Sequence, residues 1–273
     1  MAEASGRLVV CPTPIGNLED VTLRVLSALR DASVVACEDT RRTRVLLDRY
    51  GVSAKLVSYH EHNERARSGE LVELMRGGSV VALVSDAGMP LVSDPGFVLV
   101  QACVAAGLAV EVLPGPSAAL AALVASALPA ETWRFVGFLP RKASELIAVF
   151  GAPETVVAFE SPKRVGASLA ALAALDPERP AAVCRELTKL HEEVVRGSAA
   201  ELAARYADED PRGEVVLVVG AAAPVVTGAA PDAAVDAVRR LVASGARPRD
   251  AAGVVADLTG ASKNALYRAI TDA

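Results

Sequence analysis

The sequence predicts an α/β protein: two α/β domains followed by a small helical extension. Three observations carry the prediction. From residue 8 to residue 126, short apolar runs alternate with helix-patterned segments, the arrangement of a mostly parallel sheet covered on both faces. Beyond residue 140 the rhythm changes and two strand-like runs follow each other closely, as a mixed sheet allows. Residues 231–273 read as three short helices.

Taken in order, Leu8-Val9-Val10-Cys11 reads as a buried strand, and a helix from about Asp20 places Val21, Leu23, Val25, Leu26 and Leu29 largely on one face. "SVVACED" is a strand, "TRRTRVLLDRYG" a helix ending at Gly51, and "KLVSYH" a strand. "NERARSGELVELMRGG" is a helix stopped by paired glycines, followed by the strand "SVVALVSD". "DPGFVLVQACVAAG" is a helix with Asp94 as its expected N-cap and Pro95 at its first position. "AVEVLPG" is a strand and "PSAALAALVASAL" a helix. After "GFLPRK", the runs "TVVAFES", "PAAVCREL", "EEVVRGS" and "GEVVLVVGA" are strands, and "PKRVGASLAALAAL" and "AAELAARYA" are helices. "AAAPVVTGAAP" reads as a linker. Domains are expected at 1–118, 119–222 and 223–273.

Hydrophobic residues make up 52% of the chain and aromatics only 4%, so the core is built from small aliphatics. The longest apolar stretch is no membrane span, because Glu111 divides it and Pro114, Gly115 and Pro116 would break a helix in its middle. The first residues show no secretory signal. Four dispersed cysteines, without a CxxC pair, fit a reducing compartment, and a cytoplasmic location is expected. With net charge −5 there is no global basic field, so a nucleic-acid partner must be met by local patches. No GK[ST] and no strand-linked GxGxxG occurs, which sets aside P-loop and nicotinamide dinucleotide chemistry. His60 and His62 stand at i, i+2 with one further histidine in the chain, and no metal is expected.

Four loops, each following an apolar strand, are the candidates for chemistry. "PTPIGNLED" is stiff: proline fixes φ and lacks an N–H, and glycine admits close approach. "SDAGMPLVSDPG" places Asp86 at a strand end, where a carboxylate suits a ribose hydroxyl or an amine, and Gly88 where its backbone could face a ligand. In "LPGPSAAL" Gly115 suits a positive φ, and Ser117 and Ala118 offer N–H groups in a first helical turn. The fourth pairs "FESPKR" with "RELTKLHEEVVRG", a charged turn between two strands. A further segment, "CEDTRRTR", interleaves Glu38 and Asp39 with Arg41, Arg42 and Arg44; it suits a phosphate-rich substrate, or a solvated face of paired charges.

Seven segments in one order, "TPIGNLEDVTLRVLSAL", "ACEDTRRT", "SDAGMPLVSDPG", "PGPSA", "GFLPRK", "FESPKR" and "RELTKLHEEVVRG", resemble the ribosomal RNA small-subunit methyltransferase I family, of the tetrapyrrole-methylase type of fold. The resemblance covers about residues 7–220. It implies two α/β domains with S-adenosylmethionine in the cleft between them, a homodimer, and 2′-O-methylation of a cytidine in small-subunit (16S) ribosomal RNA, presented as RNA or as an assembled subunit. It implies cofactor contacts at Pro14, Asp86, Ala87, Gly88, Val92, Ser117, Ala118, Phe159, Glu160, Leu187 and Glu214. Two positions depart from the family pattern: Lys163 replaces the usual histidine, and Cys11 replaces the usual valine.

Methyl transfer to a hydroxyl needs collinear reacting atoms and an acceptor for the hydroxyl proton. Glu160, Lys189, Asp39 and Glu38 are the candidates. RNA contact is expected from Arg41, Arg42, Arg44, Lys163 and Arg164, and from Lys263 and Arg268 on a helix-turn-helix-like tail with Gly260 in its turn and Ser262 as a cap. The alternative for that tail is a small helical bundle packed on the body or on a dimer partner. The rival readings are a tetrapyrrole (precorrin) methylase and a nucleic-acid-binding regulator with an inert α/β body.

Overall fold

A computed structural model of the chain describes residues 6–208, 210–222 and 232–271. Most of the expected linker lies outside the described residues, as do residues 1–5. The chain divides into two compact units, Met1–Ala221 and Ala222–Ala273.

The first unit holds two five-stranded sheets. The first sheet is built from β1 (Arg7–Val10), β2 (Val34–Cys37), β3 (Leu56–Ser58), β4 (Val80–Val84) and β5 (Ala109–Val112). Its order is β3-β2-β4-β1-β5, and every pairing is parallel. Helices α1 (Leu23–Asp31) and α2 (Thr40–Arg49) cover one face; α3 (Glu64–Arg76) and α4 (Phe97–Ala105) cover the other. Successive β1 side chains divide between the two cores, Val9 and Cys11 into one, Leu8 and Val10 into the other. That double burial is why the strand reads as an unbroken apolar run.

Helix α5 (Ala118–Ser126) follows β5 but packs on the second sheet, where Ala119, Ala122 and Leu123 meet Val157, Val216 and Val218. This sheet contains β6 (Trp133–Phe138), β7 (Thr155–Glu160), β8 (Pro180–Arg185), β9 (Glu193–Ser198) and β10 (Val215–Val219). Its order is β6-β7-β10-β8-β9; only β6 and β7 run parallel, so the sheet is mixed. Its outer face carries α6 (Ala143–Phe150), α7 (Val165–Leu175) and α8 (Ala199–Arg205). Strand β6 and helix α6 are absent from the sequence reading. A register shift between Phe135 and Phe138, with Gly137 at φ 68°, breaks the alternation that would mark "WRFVGF" as a strand.

Three local expectations are corrected. The first helix begins at Leu23 after a short 3-10 turn at Leu18–Asp20; the Thr22 hydroxyl caps it by accepting from Val25 N, and Leu23 is exposed. Asp94 does not cap α4. The N-cap is Gly96 at φ 138°, where a Cβ would lie 2.8 Å from Leu91 Cδ1, so the chain turns later than "DPG" suggests. Gly115 has no positive φ; a Cβ there would collide with Pro12 Cγ, so glycine is required for close approach instead.

The second unit is a three-helix cluster: α9 (Asp232–Ala243), α10 (Pro248–Thr259) and α11 (Lys263–Thr271) around Val238, Ala252 and Leu266. Gly260 ends α10 in the left-handed region at φ 70°, and Ser262 Oγ accepts from Ala265 N, the expected turn and cap. Among the described residues no helix is long and apolar enough to cross a membrane.

Candidate functional site

In an open parallel sheet, ligands settle beyond the carboxyl ends of the strands where the strand order reverses. Here the reversal lies at β4-β1-β5, and the loops after those three strands are the stiff ones. They are stitched together by backbone. Thr13 and Gly88 exchange hydrogen bonds, N to O at 2.9 Å each way, and Thr13 Oγ1 donates to Ser85 O at 3.0 Å. Pro12 and Pro14 have no N–H to satisfy, and Thr13 between them uses its N–H, its carbonyl and its hydroxyl to tie this loop to the one after β4. Gly88 therefore spends its backbone on Thr13, not on a ligand. Its φ of 78° leaves it the side-chain-free corner of the turn.

The second sheet supplies the opposite wall. A Cβ at Gly16 would lie 2.5 Å from Lys189 Cγ, and Asn17 N donates to Thr188 Oγ1 at 3.1 Å, so the two walls meet at the 187–189 turn. Glu186 at φ 50° and Thr188 at φ 67° hold that turn in the left-handed region. Side chains fix it. Lys189 Nζ lies 2.7 Å from Glu186 Oε1 and 3.1 Å from Glu214 Oε2, and Glu214 N donates to Glu186 Oε1 at 2.9 Å. Partial burial lowers the Lys189 pKa, but its bonds to Glu186 and Glu214 outweigh that and raise it. Bonds from Lys189 and from Glu214 N hold Glu186 below the usual carboxylate range.

Between the walls lies a cleft of about 320 Å³. Of the expected cofactor residues, Ala87, Gly88, Val92, Ser117 and Ala118 line it from the first wall, and Phe159, Glu160 and Glu214 from the second. Pro14, Asp86 and Leu187 lie outside that lining. Pro14 is buried, and Leu187 belongs to the core beneath α5. Asp86 turns toward the 38–42 segment, accepting from Asp39 N at 3.0 Å with Arg42 Nη1 3.5 Å away. The sequence reading missed Ile15, Met89, Ser93, Phe138 and Gly213, and named Asp94 only as a cap. Gly213 had a signal, since it precedes Glu214; it has φ 87°, and a Cβ would strike the Glu186 carboxyl.

The catalytic candidates are heavily committed. The Glu160 side chain is fully buried; its Oε2 accepts from Ser168 Oγ at 2.6 Å, its Oε1 from Ser161 N at 2.8 Å, and Arg164 Nη1 lies 3.3 Å away. Asp39 caps α2, and the Arg41 side chain and backbone N–H draw its pKa down to about 2. Burial and the nearby Asp86 push Glu38 up. Of the expected RNA contacts, Arg41, Arg42, Arg44, Lys163, Lys263 and Arg268 are exposed. Arg164 is half-buried and donates to Leu139 O and Pro140 O, at 3.1 and 2.7 Å, so it holds the "GFLPRK" turn. Among the described residues no group of His, Cys, Asp or Glu is placed to hold a metal ion.

Two sheets joined at such a cleft define the class. The family model Tetrapyrrole (Corrin/Porphyrin) Methylases matches residues 7–203, and a second, RsmI C-terminal HTH domain, matches residues 229–272. A crystal structure of uroporphyrin-III-C-methyltransferase from Thermus thermophilus superposes with TM-score 0.58 at 26% identity, covering 79% of this chain and 94% of that one. Another of that enzyme, complexed with S-adenyl homocysteine, shares the fold with TM-score 0.57 at 22% identity over 79% of this chain and 97% of that one. Among curated proteins, the ribosomal RNA small subunit methyltransferase I of Mesorhizobium japonicum is 46% identical over 97% of this chain and 91% of its own. That of Thermotoga maritima is 41% identical over 78% of this chain and 98% of its own. The chain belongs to the ribosomal RNA small subunit methyltransferase I family.

Proposed function

We propose that the chain transfers a methyl group from S-adenosylmethionine to the 2′-hydroxyl of a cytidine in small-subunit (16S) ribosomal RNA. The observation that carries the reading is the cleft beyond β4, β1 and β5, whose volume of about 320 Å³ falls in the range of pockets for cofactor-sized molecules. Its lining suits the cofactor. Val92, Met89, Phe138 and Phe159 offer apolar contact for a purine and a thioether chain, while Ala87, Ala118 and Ala119 leave room for flat groups. Ser117 Oγ caps α5 by accepting from Leu120 N, and the Ala118 and Ala119 N–H groups, which have no intrahelical acceptors, suit a carboxylate. Glu214 suits an ammonium or ribose hydroxyls. Bound there, S-adenosylmethionine supplies an electrophilic methyl group.

The chain's own contribution is placement and exclusion of water. Two walls pinned at the 187–189 turn hold the reactants in one geometry, which can supply much of the barrier reduction. Lys189 keeps its proton and acts as a fixed cation beside Glu214. Exposed Arg41, Arg44 and Lys163 on the first unit, and Lys263 and Arg268 on the second, supply phosphate contacts for RNA. A homodimer in the cytoplasm belongs to the same reading. Support for self-association comes from exposed Phe97 and Val104 on α4, Val112 on edge strand β5 and Val124 on α5.

The test is transfer of labelled methyl to small ribosomal subunits from cells lacking this protein, with the label located by nuclease digestion and mass spectrometry. One 2′-O-methylated cytidine is expected. Ser117→Arg, which places a long side chain in the cleft, is expected to stay folded and lose cofactor binding by calorimetry. Unlabelled RNA with intact cofactor binding would move the assignment to a small-molecule acceptor such as a tetrapyrrole.

A further inference from the structure

Three carboxylates line the cleft: Glu160, Glu214 and Asp94. Glu160 is closed in by Ser168, Ser161 N and Arg164, and Glu214 is paired with Lys189. Asp94 differs from both. The helix that its sequence position suits it to cap starts at Phe97 and takes no side-chain cap, so the carboxylate is not used there. No ion pair holds it among the described residues. It is presented by a constrained turn, with Leu91 at φ 72°, Ser93 at φ 67° and Gly96 at φ 138°, conformations that cost energy at the two non-glycine positions. Gly137, in the β6 bulge, lies against that turn, 3.5 Å from a Cβ built on it to Ser93 Oγ.

From this geometry we infer that Asp94 is the proton acceptor for the hydroxyl that receives the methyl group, an inference that rests on the methyl-transfer reading above. In the step an oxygen–carbon bond forms, the carbon–sulfur bond of the sulfonium breaks with its electron pair going to sulfur, and the hydroxyl proton passes to the Asp94 carboxylate. The products are a neutral ether, a neutral thioether and a neutral carboxylic acid, so charge balances.

The surroundings tune the group for this task. Burial first, then the Glu38 and Asp86 charges, push Asp94 up to about 6, with the Ser85 hydroxyl pulling partly the other way. The charged groups around it come from three strand ends: Glu38 after β2, Asp86 after β4, Arg42 facing Asp86 at 3.5 Å, and His60 after β3 facing Glu38. A base whose pKa lies near the working pH is the efficient kind. Above that value Asp94 is ionised and can take a proton; below it, the site already holds one.

The experiment combines carbon-detected titration of aspartate carboxyls in the free protein with single-turnover methyl transfer to small ribosomal subunits across pH. The wild type should show one carboxyl titrating near 6, absent in Asp94→Asn, and an acid limb in the rate at the same pH. Asp94→Asn should keep cofactor affinity and lose about 10²–10⁴-fold in rate. Glu38→Gln removes a neighbouring negative charge, so both the carboxyl titration and the acid limb should move to lower pH together. An Asp94→Asn rate within threefold (roughly) of wild type would overturn the assignment. So would loss of cofactor binding in that variant, which would make Asp94 a cofactor ligand, or an acid limb unmoved in Glu38→Gln. A wild type that labels no RNA, with its carboxyl still titrating as described, would instead sink the methyl-transfer reading, and the assignment with it.

Discussion

The two walls of the cleft are held rigid by different chemistry. On the first, backbone and uncharged groups do the work: the Thr13–Gly88 exchange, the buried Thr13 and Ser85 hydroxyls donating to backbone carbonyls, and Gly115 against Pro12. On the second, side chains do it: Glu160 with Ser168 and Arg164, and Lys189 between Glu186 and Glu214. A backbone-held wall tolerates changes of charge and salt but not an added Cβ. A wall held by side chains responds the other way. The difference places the cleft's pH and salt sensitivity on the second sheet and on Asp94, and its steric intolerance on the first.

Three substitutions test that contrast. The largest effect is expected at Glu160→Ala, which strips partners from Ser168, Ser161 N and Arg164 at a fully buried site. A loss of about 3 kcal/mol in denaturant unfolding is expected, since removing one member of a buried pair is costly. A neutral result would mean Glu160 is not what anchors the end of β7. Next is Gly115→Ala, whose Cβ must displace Pro12. A loss of about 2 kcal/mol, insensitive to salt, is expected, with weakened cofactor binding by calorimetry. Unchanged affinity would show that the first wall yields more easily than its geometry implies. The smallest effect on stability belongs to Lys189→Met: under about 1 kcal/mol, because the pairs are partly exposed. Here the difference from wild type should shrink as salt rises, since screening weakens exposed pairs. No difference at any salt concentration would mean the aliphatic stem against Gly16, which methionine keeps, and not the charge, locks the turn.

Much of this could be read from the residues. The strands of the first sheet are legible because both faces are buried, which leaves unbroken runs such as "LVVC" and "SVVALVSD". The stiff loops are legible from proline and glycine at strand ends. Strand β6 was not, because a bulge at Gly137 interrupts its alternation, and α6 was passed over beside it. Asp94 was misread because "SDPG" carries a cap signature, whereas packing of Gly96 against Leu91 and Leu83 delays the helix. Gly88 and Gly115 are special for other reasons than those the sequence suggests, because their partners, Thr13 and Pro12, lie far away along the chain and leave no local trace.

Apolar periodicity and turn chemistry are local properties of the chain, so the class of fold, the family and the loops that matter can be read along it. Which loops meet is a matter of topology. The order β3-β2-β4-β1-β5 sets the loops after β4, β1 and β5 side by side, and the seating of α5 on the second sheet joins it to the first. Only there, too, could the carboxylates be told apart. Glu160 ends a strand and Asp94 stands before a helix, but what separates their roles is the company burial gives each: donors around one, other carboxylates around the other.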